Sequence, residues 1–388
     1  MSKLRWAMVG GGPNSIGRTH RLAANLDGHY ELVAGVFSRD SGKNATMGKE
    51  LGITEDRLYP NFEAMAAAES KRPDGIECVS VITPNNTHVP ACLAFLGHAI
   101  PVICDKPIGV SSIEAIRLMR EVDRRGIPFA LTHNYSAYTM VREAQHLVGS
   151  GRLGKIRVVQ VEYALGSRSS LVEAQGDTRF AWRADPAIAG PSTVLGDIGT
   201  HAHHLMRTVT GLELEAVSAD LGSLVAGRKA DDNANVNLRF VGGARGQLWA
   251  SMVACGIGQG LRIRVFGEQA SLEWHQEHPN ELNLRFEYQP NQVLRRGDPW
   301  LCERAKRGVR TNRGQPEGYL SAFANVYRDF AEVLAARKAG RAPDPLADSF
   351  ASARDGVLGM IFIEAAVESS RRNGAWVEAG DQRLGATA

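Results

Sequence analysis

Asp197 and His201 stand four residues apart in Gly196-Asp197-Ile198-Gly199-Thr200-His201-Ala202-His203-His204, a spacing that puts both on one face of a helix. An imidazole with an ordinary pKa of about 6.5 is suited to take a proton from an alcohol as hydride leaves the same carbon. A carboxylate beside it could orient the ring or hydrogen-bond the substrate. Two other readings compete. His201, His203 and His204 with Asp197 would supply enough ligands for a metal, but neighbouring helix positions diverge by roughly 100°, so only a subset can converge and no metal is expected. Alternatively, Asp197 caps a helix whose histidines are incidental.

Two more segments carry usable groups at the ends of apolar runs. Lys106, in Asp105-Lys106-Pro107, would place an ammonium where it could hydrogen-bond a hydroxyl and stabilise developing alkoxide charge; as an isolated surface pair, Lys-Pro would mean nothing. Thr83-Pro84-Asn85-Asn86-Thr87-His88 alone reads as a turn with a helix cap. At the carboxyl end of a parallel strand the same segment faces the ligand, which makes Thr83, Pro84, Asn85, His88, Asp105 and Lys106 candidates for holding a cofactor.

A fourth segment, Val9-Gly10-Gly11-Gly12-Pro13-Asn14-Ser15-Ile16-Gly17, lies where the first strand turns into the first helix. Glycines there allow a tight turn and the approach of backbone N–H groups to a pyrophosphate at a helix N-terminus. The loop is two residues longer than G-x-G-x-x-G, since Gly17 follows Gly12 by five positions. Gly10, Gly12, Asn14, Ser15, Ile16 and Gly17 are the phosphate-loop candidates. About 20 residues on, where an acidic side chain would hold a ribose 2′-hydroxyl, the chain reads Phe37-Ser38-Arg39-Asp40. Ser38 followed by Arg39 can accept a 2′-phosphate, so the expected cofactor is NAD or NADP; the competing reading makes Arg39 a surface residue at a strand end.

These segments need a scaffold, and the first 130 residues supply one. Apolar runs at Leu4 to Val9, Glu31 to Phe37, Gly75 to Thr83, Pro101 to Cys104 and Pro128 to Leu131 alternate with helical stretches at Ile16 to Asn25, Gly42 to Leu51, Thr87 to Gly97 and Ser112 to Arg125. Continuous apolar strands separated by helices predict a doubly wound parallel sheet. After a helix at Thr139 to Val148 the rhythm changes. Ile156 to Ala164, Asn235 to Val241, Gly246 to Met252 and Leu261 to Phe266 read as strands with no crossover helices, and Tyr319 to Ala339 and Ser349 to Arg371 as helices. The expected architecture is α/β: a Rossmann domain over 1–133, then an α+β domain over 134–388 with a large, mostly antiparallel open sheet. Such a sheet can bury one face on its own helices and offer the other to a second subunit.

Composition narrows the class of protein. The 388 residues are 44% hydrophobic and 22% charged, with a net charge of +3, which points away from disorder, nucleic acid and anionic membranes. No apolar run approaches the roughly 20 residues that span a bilayer. The beginning of the chain lacks the features of a secretory signal. Cys78, Cys92, Cys104, Cys255 and Cys302 are scattered without a CxxC pair, as expected for a reducing cytoplasm.

Taken together, the segments resemble the glucose–fructose oxidoreductase / inositol dehydrogenase / MocA (Gfo/Idh/MocA) family. The likeness rests on Ile16-Gly17-Arg18-Thr19-His20, Thr83-Pro84-Asn85 with His88, Asp105-Lys106-Pro107, His133-Asn134-Tyr135, Gly151-Arg152-Leu153-Gly154-Lys155-Ile156 and Asp197-Ile198-Gly199-Thr200-His201, in family order over residues 4 to 210. It implies an NAD(P)-dependent dehydrogenase whose active site includes Lys106, Asp197 and His201, with Asn134 and Tyr135 near the substrate. Asp105 replaces the family's usual Glu, and His204 stands where many members carry Asp. The longer glycine loop, Ala181-Trp182-Arg183-Ala184-Asp185-Pro186 and Gln315-Pro316-Glu317-Gly318-Tyr319 resemble the levoglucosan-type subgroup. Trp182 and Arg183 either pack on a sugar or anchor a loop. The expected reaction is oxidation of a ring alcohol of a sugar, anhydrosugar or cyclitol. The rivals are an imine or enone reductase of the same family, a non-catalytic NAD(P)-binding regulator, and an NAD-retaining glycosidase or epimerase.

Overall fold

The computed structural model describes residues 3–13, 15–176, 182–381 and 383–384; Asn14 and Ala181 lie outside them. The chain forms two units: Met1–Gly109 with Ile113–Asn134 and Phe323–Val357, and Val110–Ser112 with Tyr135–Ala322 and Leu358–Ala388.

In the first unit, β1 (Leu4–Gly10), β2 (Tyr30–Val36), β3 (Cys78–Ile82), β4 (Val102–Cys104) and β5 (Phe129–Leu131) form a parallel sheet in the order β2-β1-β3-β4-β5. A strand covered on both faces has no solvent side, and Cys78-Val79-Ser80-Val81-Ile82 is buried at every position. The connections are α1 (Gly17–Leu26) after β1, α2 (Ser41–Glu50) and α3 (Phe62–Glu69) after β2, α4 (His88–Gly97) after β3 and α5 (Ser112–Arg125) after β4. Strand order reverses at β1, whose neighbours are β2 and β3, which opens a crevice at the carboxyl ends of β1 and β3.

The sequence pattern predicts nothing between Leu51 and Gly75, yet α3 forms there. Asn61 Oδ1 caps it by accepting from the Ala64 amide at 2.7 Å. Alanines then supply helix propensity without an apolar stripe to reveal it. A second difference concerns 323–357, which a division at 133/134 would assign to the later domain. In the structure Leu131 donates its N–H to Ala351 O at 2.8 Å, and the Tyr327 ring sits edge-on to Trp6 and Tyr30 at 5.8 and 5.3 Å between centroids.

The second unit is built on β6 (Ile156–Ala164), β7 (Leu214–Gly222), β8 (Asn233–Phe240), β9 (Arg245–Ser251), β10 (Gly260–Gly267), β11 (Ser271–His275), β12 (Glu281–Arg285), β13 (Gln292–Arg295) and β14 (Val377–Glu378). Their order is β13-β12-β11-β10-β6-β9-β8-β7-β14, antiparallel throughout except for the parallel β6–β9 pair. Period-two alternation gives β8 one buried face, Ala234, Val236, Leu238 and Phe240, and one open face with Asn235 and Asn237. Each fully buried Val or Leu there contributes roughly 1.5–3 kcal/mol. Helix Thr200–Thr210 packs on β6, β9 and β10, fixing the elements that carry His201. Among the described residues no helix is long and apolar enough to cross a membrane.

Candidate active site

The glycine loop at the end of β1 is built by close backbone approaches. Gly10 has φ +80°, and a Cβ there would lie 2.2 Å from Ile82 O on β3. A Cβ on Gly17 would lie 2.3 Å from Gly11 Cα, so α1 starts hard against the loop. Ser15 Oγ donates to Gly12 O at 2.7 Å and accepts from Gly17 N at 3.2 Å, and Arg21 donates to Gly11 O at 2.8 Å. The helix begins at Gly17, leaving Ile16 in the turn; Asn14, a phosphate-loop candidate, lies outside the described residues. Gly10→Ala is expected to destabilise the protein by about 1–3 kcal/mol through backbone strain alone. A urea midpoint equal to that of the unchanged protein would contradict the packing just described.

A cavity of about 420 Å³ adjoins this loop, lined among others by Pro13, Phe37, Ser38, Asp40, Lys43 and Met47. Ser38 Oγ accepts from Asp40 N at 3.1 Å, and Asp40 caps α2 by accepting from Lys43 N at 2.9 Å. Arg39 is exposed. Lys43, Asp40 and Phe37 therefore join Ser38 at this cavity; Phe37 and Asp40 flank Ser38-Arg39 in the chain, and Lys43 stands in the first turn of α2. The loop and the cavity suit a dinucleotide: a glycine cradle that a Cβ would fill, a chamber beyond β2, and Thr83 Oγ1, buried at the end of β3 with no hydrogen-bond partner among the described residues.

The loops after β3 and β4 are tied together by His88. Its Nε2 is 2.8 Å from Thr83 O and its Nδ1 2.7 Å from Pro107 O, so the buried ring braces the segments that carry Thr83-Pro84-Asn85 and Asp105-Lys106-Pro107. Burial holds this imidazole below its ordinary pKa. Asn85 is buried and Pro84 exposed. Asp105 Oδ1 accepts from the Lys106 amide at 2.9 Å and from Thr132 Oγ1 at 2.6 Å. Lys106 is half-buried, and its bond to Pro107 is cis. Asn134 is buried, at the start of a short 3₁₀ turn.

In the second unit Asp197 lies in a π turn, Leu195–Gly199, that runs directly into helix Thr200–Thr210. An ordinary helix was expected here. The wider i→i+5 turn still leaves Asp197 and His201 about one turn apart. The entry to this turn is held by Asp231, which accepts from Ser192 Oγ and, at 2.7 Å, from Thr193 N; burial pushes its carboxyl pKa up. His201 is 7% exposed, and the Tyr135 ring meets it edge-on with centroids 4.7 Å apart. The Tyr135 hydroxyl is directed at Tyr163 Oη, 2.6 Å away, and Tyr163 donates to Gln259 Oε1 at 2.7 Å. Tyr135 is thus placed to orient His201 through its ring, with its hydroxyl engaged by Tyr163. Burial raises both phenol pKa values, which keeps these hydroxyls protonated donors. Tyr163 and Gln259 were not legible as site residues, because each looks like an ordinary strand or turn position.

Arg183 Nε lies 3.5 Å from Asp197 Oδ1, and the guanidinium stacks over the Trp182 ring at 4.4 Å. The pair is thereby joined to the Asp197 carboxylate. His203 stacks on Phe362 with centroids 4.6 Å apart, and His204 Nε2 is 3.4 Å from Thr208 Oγ1. The structure therefore turns these two rings toward their own packing partners.

Comparison with known proteins accords with this architecture. Residues 4–133 match the oxidoreductase family with an NAD-binding Rossmann fold, and residues 141–273 match the GFO/IDH/MocA C-terminal domain. An uncharacterized oxidoreductase of Bacillus subtilis is 35% identical over 97% of this chain and 96% of its own. The crystal structure of an oxidoreductase from Sinorhizobium meliloti is 41% identical, with a TM-score of 0.89 over 97% of this chain and 100% of that one. An inositol dehydrogenase homolog from Azotobacter vinelandii, crystallised with NAD+, is 38% identical, with a TM-score of 0.92 over 97% of both chains. Family matches over residues 4–133 and 141–273, together with a glycine cradle at the first β-α turn, make the chain a member of the Gfo/Idh/MocA family: an NAD(P)-dependent dehydrogenase with an NAD-binding Rossmann domain.

Proposed function

We propose that the enzyme oxidises a ring secondary alcohol of a sugar, anhydrosugar or cyclitol to the ketone. The observation that carries this reading is the Asp197–His201 turn, where a buried imidazole is held edge-on by Tyr135 and a carboxylate one turn away is set by Arg183. The nicotinamide, when bound, supplies the hydride acceptor. His201 removes the hydroxyl proton, Asp197 orients the base or the substrate, and Lys106 stabilises the alkoxide-like charge. The similarity to the Azotobacter vinelandii inositol dehydrogenase homolog supports a cyclitol or sugar as the substrate class. Under this reading the first unit binds the cofactor, the second receives the substrate, and the open face of the sheet pairs copies of the chain into a homodimer or homotetramer.

The test is a panel of inositols, aldoses and anhydrosugars with NAD+ and NADP+ in parallel, followed at the absorbance of the reduced nicotinamide. The NADP+ arm also tests whether Ser38 and Arg39 accept a 2′-phosphate. No turnover on any polyol with either cofactor would overturn the reading. His201→Asn is expected to lower kcat by about 10²–10⁴ on the best substrate, the range for loss of a positioned base. A kcat within threefold of the unchanged enzyme would remove His201 from the proton transfer.

A further inference from the structure

We propose that His20 is a positioning residue: it ends a one-way chain of hydrogen bonds in the core of the first unit with its Nε2–H turned toward Asp105, and so sets the carboxylate that holds the main chain of Lys106. His20, on α1, is fully buried. Its Nδ1 is 2.7 Å from Tyr327 Oη, which is 2.8 Å from Ser80 Oγ. Trp6 Nε1 donates to the same Ser80 Oγ at 2.9 Å. On the other side of the imidazole, Nε2 lies 4.0 Å from Asp105 Oδ1 and has no hydrogen-bond partner among the described residues.

Counting protons gives this chain a direction. An indole N–H can only donate, so Ser80 Oγ accepts from Trp6. The Ser80 hydroxyl proton then goes to Tyr327 Oη, and the Tyr327 proton to His20 Nδ1. A neutral imidazole has one N–H, and this order leaves it on Nε2, facing the Asp105 carboxylate. The opposite order would make Ser80 accept two bonds in a buried site while donating none. It would also turn the Nε2 lone pair onto a carboxylate. Both costs fall on one arrangement. Burial keeps the ring neutral by lowering its pKa to about 4.

Three donors then converge on one carboxylate oxygen: the Lys106 amide at 2.9 Å, Thr132 Oγ1 at 2.6 Å and, at longer range, His20 Nε2–H. At 4.0 Å the last is an attraction between a dipole and a charge rather than a hydrogen bond. Rotation of this carboxylate would release the backbone that enters Lys106. The inference rests on the reading of Lys106 as a residue of the reacting centre.

Long-range proton–nitrogen correlation on histidine-labelled protein reads the tautomer without any substrate. His20, assigned by its absence in His20→Asn, is expected as the Nε2–H form; an Nδ1–H signal overturns the proposal. Kinetics separate the two ends of the ring. His20→Gln keeps an amide donor where Nε2 stands, whereas His20→Asn keeps a partner for Tyr327 but withdraws the donor from Asp105. The Asn variant is expected to lose about tenfold in kcat with KM for NAD+ within about twofold, and the Gln variant to recover most of it. Equal kcat for the two variants overturns the proposal. If Lys106→Met keeps normal turnover, the role of Lys106 falls; if it is inactive while the two His20 variants match, only the role of His20 falls.

Discussion

Lys106→Met is expected to lower kcat by about 10²–10³, the loss usual when one preorganised donor to a developing oxyanion is removed. Met keeps the length and apolar stem of Lys but carries no charge and no donor. The side chain is half-buried, so the ammonium works in a medium less polar than water, where its attraction for an alkoxide is strengthened. Asp105 grips the Lys106 amide, which the substitution leaves in place, so the loop should survive the change. NAD+ affinity is therefore expected to stay within a few-fold, measured by quenching of tryptophan fluorescence, while steady-state rates collapse. Arg would not substitute well, because a planar fork cannot take the place of a compact ammonium. Near-normal kcat in Lys106→Met would show that alkoxide charge is stabilised elsewhere.

Acidification is expected to destabilise the protein through His20. Burial lowers the folded-state pKa from 6.5 to about 4; Asp105 opposes that shift, while Arg21 and His88 add to it. Above pH 6.5 neither folded nor unfolded chain carries the proton at this residue, and the full stability is present. Between pH 6.5 and about 4 the unfolded chain binds a proton that the folded one refuses, so stability falls as pH falls. The loss attributable to this one ring is about 2 kcal/mol at pH 5 and about 3 kcal/mol once the window is crossed. Urea unfolding at pH 7 and pH 5, compared between the unchanged protein and His20→Gln, isolates it: the variant should lose about 2 kcal/mol less on acidification. Identical losses would mean that the ring is hydrated or already protonated in the folded state.

His20 also shows where reading the chain stops. It is visible in the sequence as the end of Ile16-Gly17-Arg18-Thr19-His20, but its partner Tyr327 is 307 residues away, on a helix read as part of the later domain. The β-α alternation of the first 130 residues was legible because strand and helix periods are local, each recorded in fewer than twenty neighbouring side chains. The glycine loop was legible for a similar reason: a position with φ of +80° whose Cβ would strike a carbonyl leaves room for little else. The spacing of Asp197 and His201 was also plain, although the π turn that carries Asp197 was not, since such a turn is a rare single-turn departure within an otherwise helical stretch.

What the amino-acid order determined by itself was therefore the parallel sheet, the loops at its carboxyl ends and the residue types that stand there. Tertiary structure alone decided the rest: Asp231 at the entry to the Asp197 turn, Tyr163 and Gln259 behind Tyr135, the parallel pairing of β6 with β9, and the return of 323–357 to the first unit. Such partners are chosen by burial and by the need to satisfy every polar group inside a packed core. That choice depends on which distant segments meet, and no local pattern of residues records it.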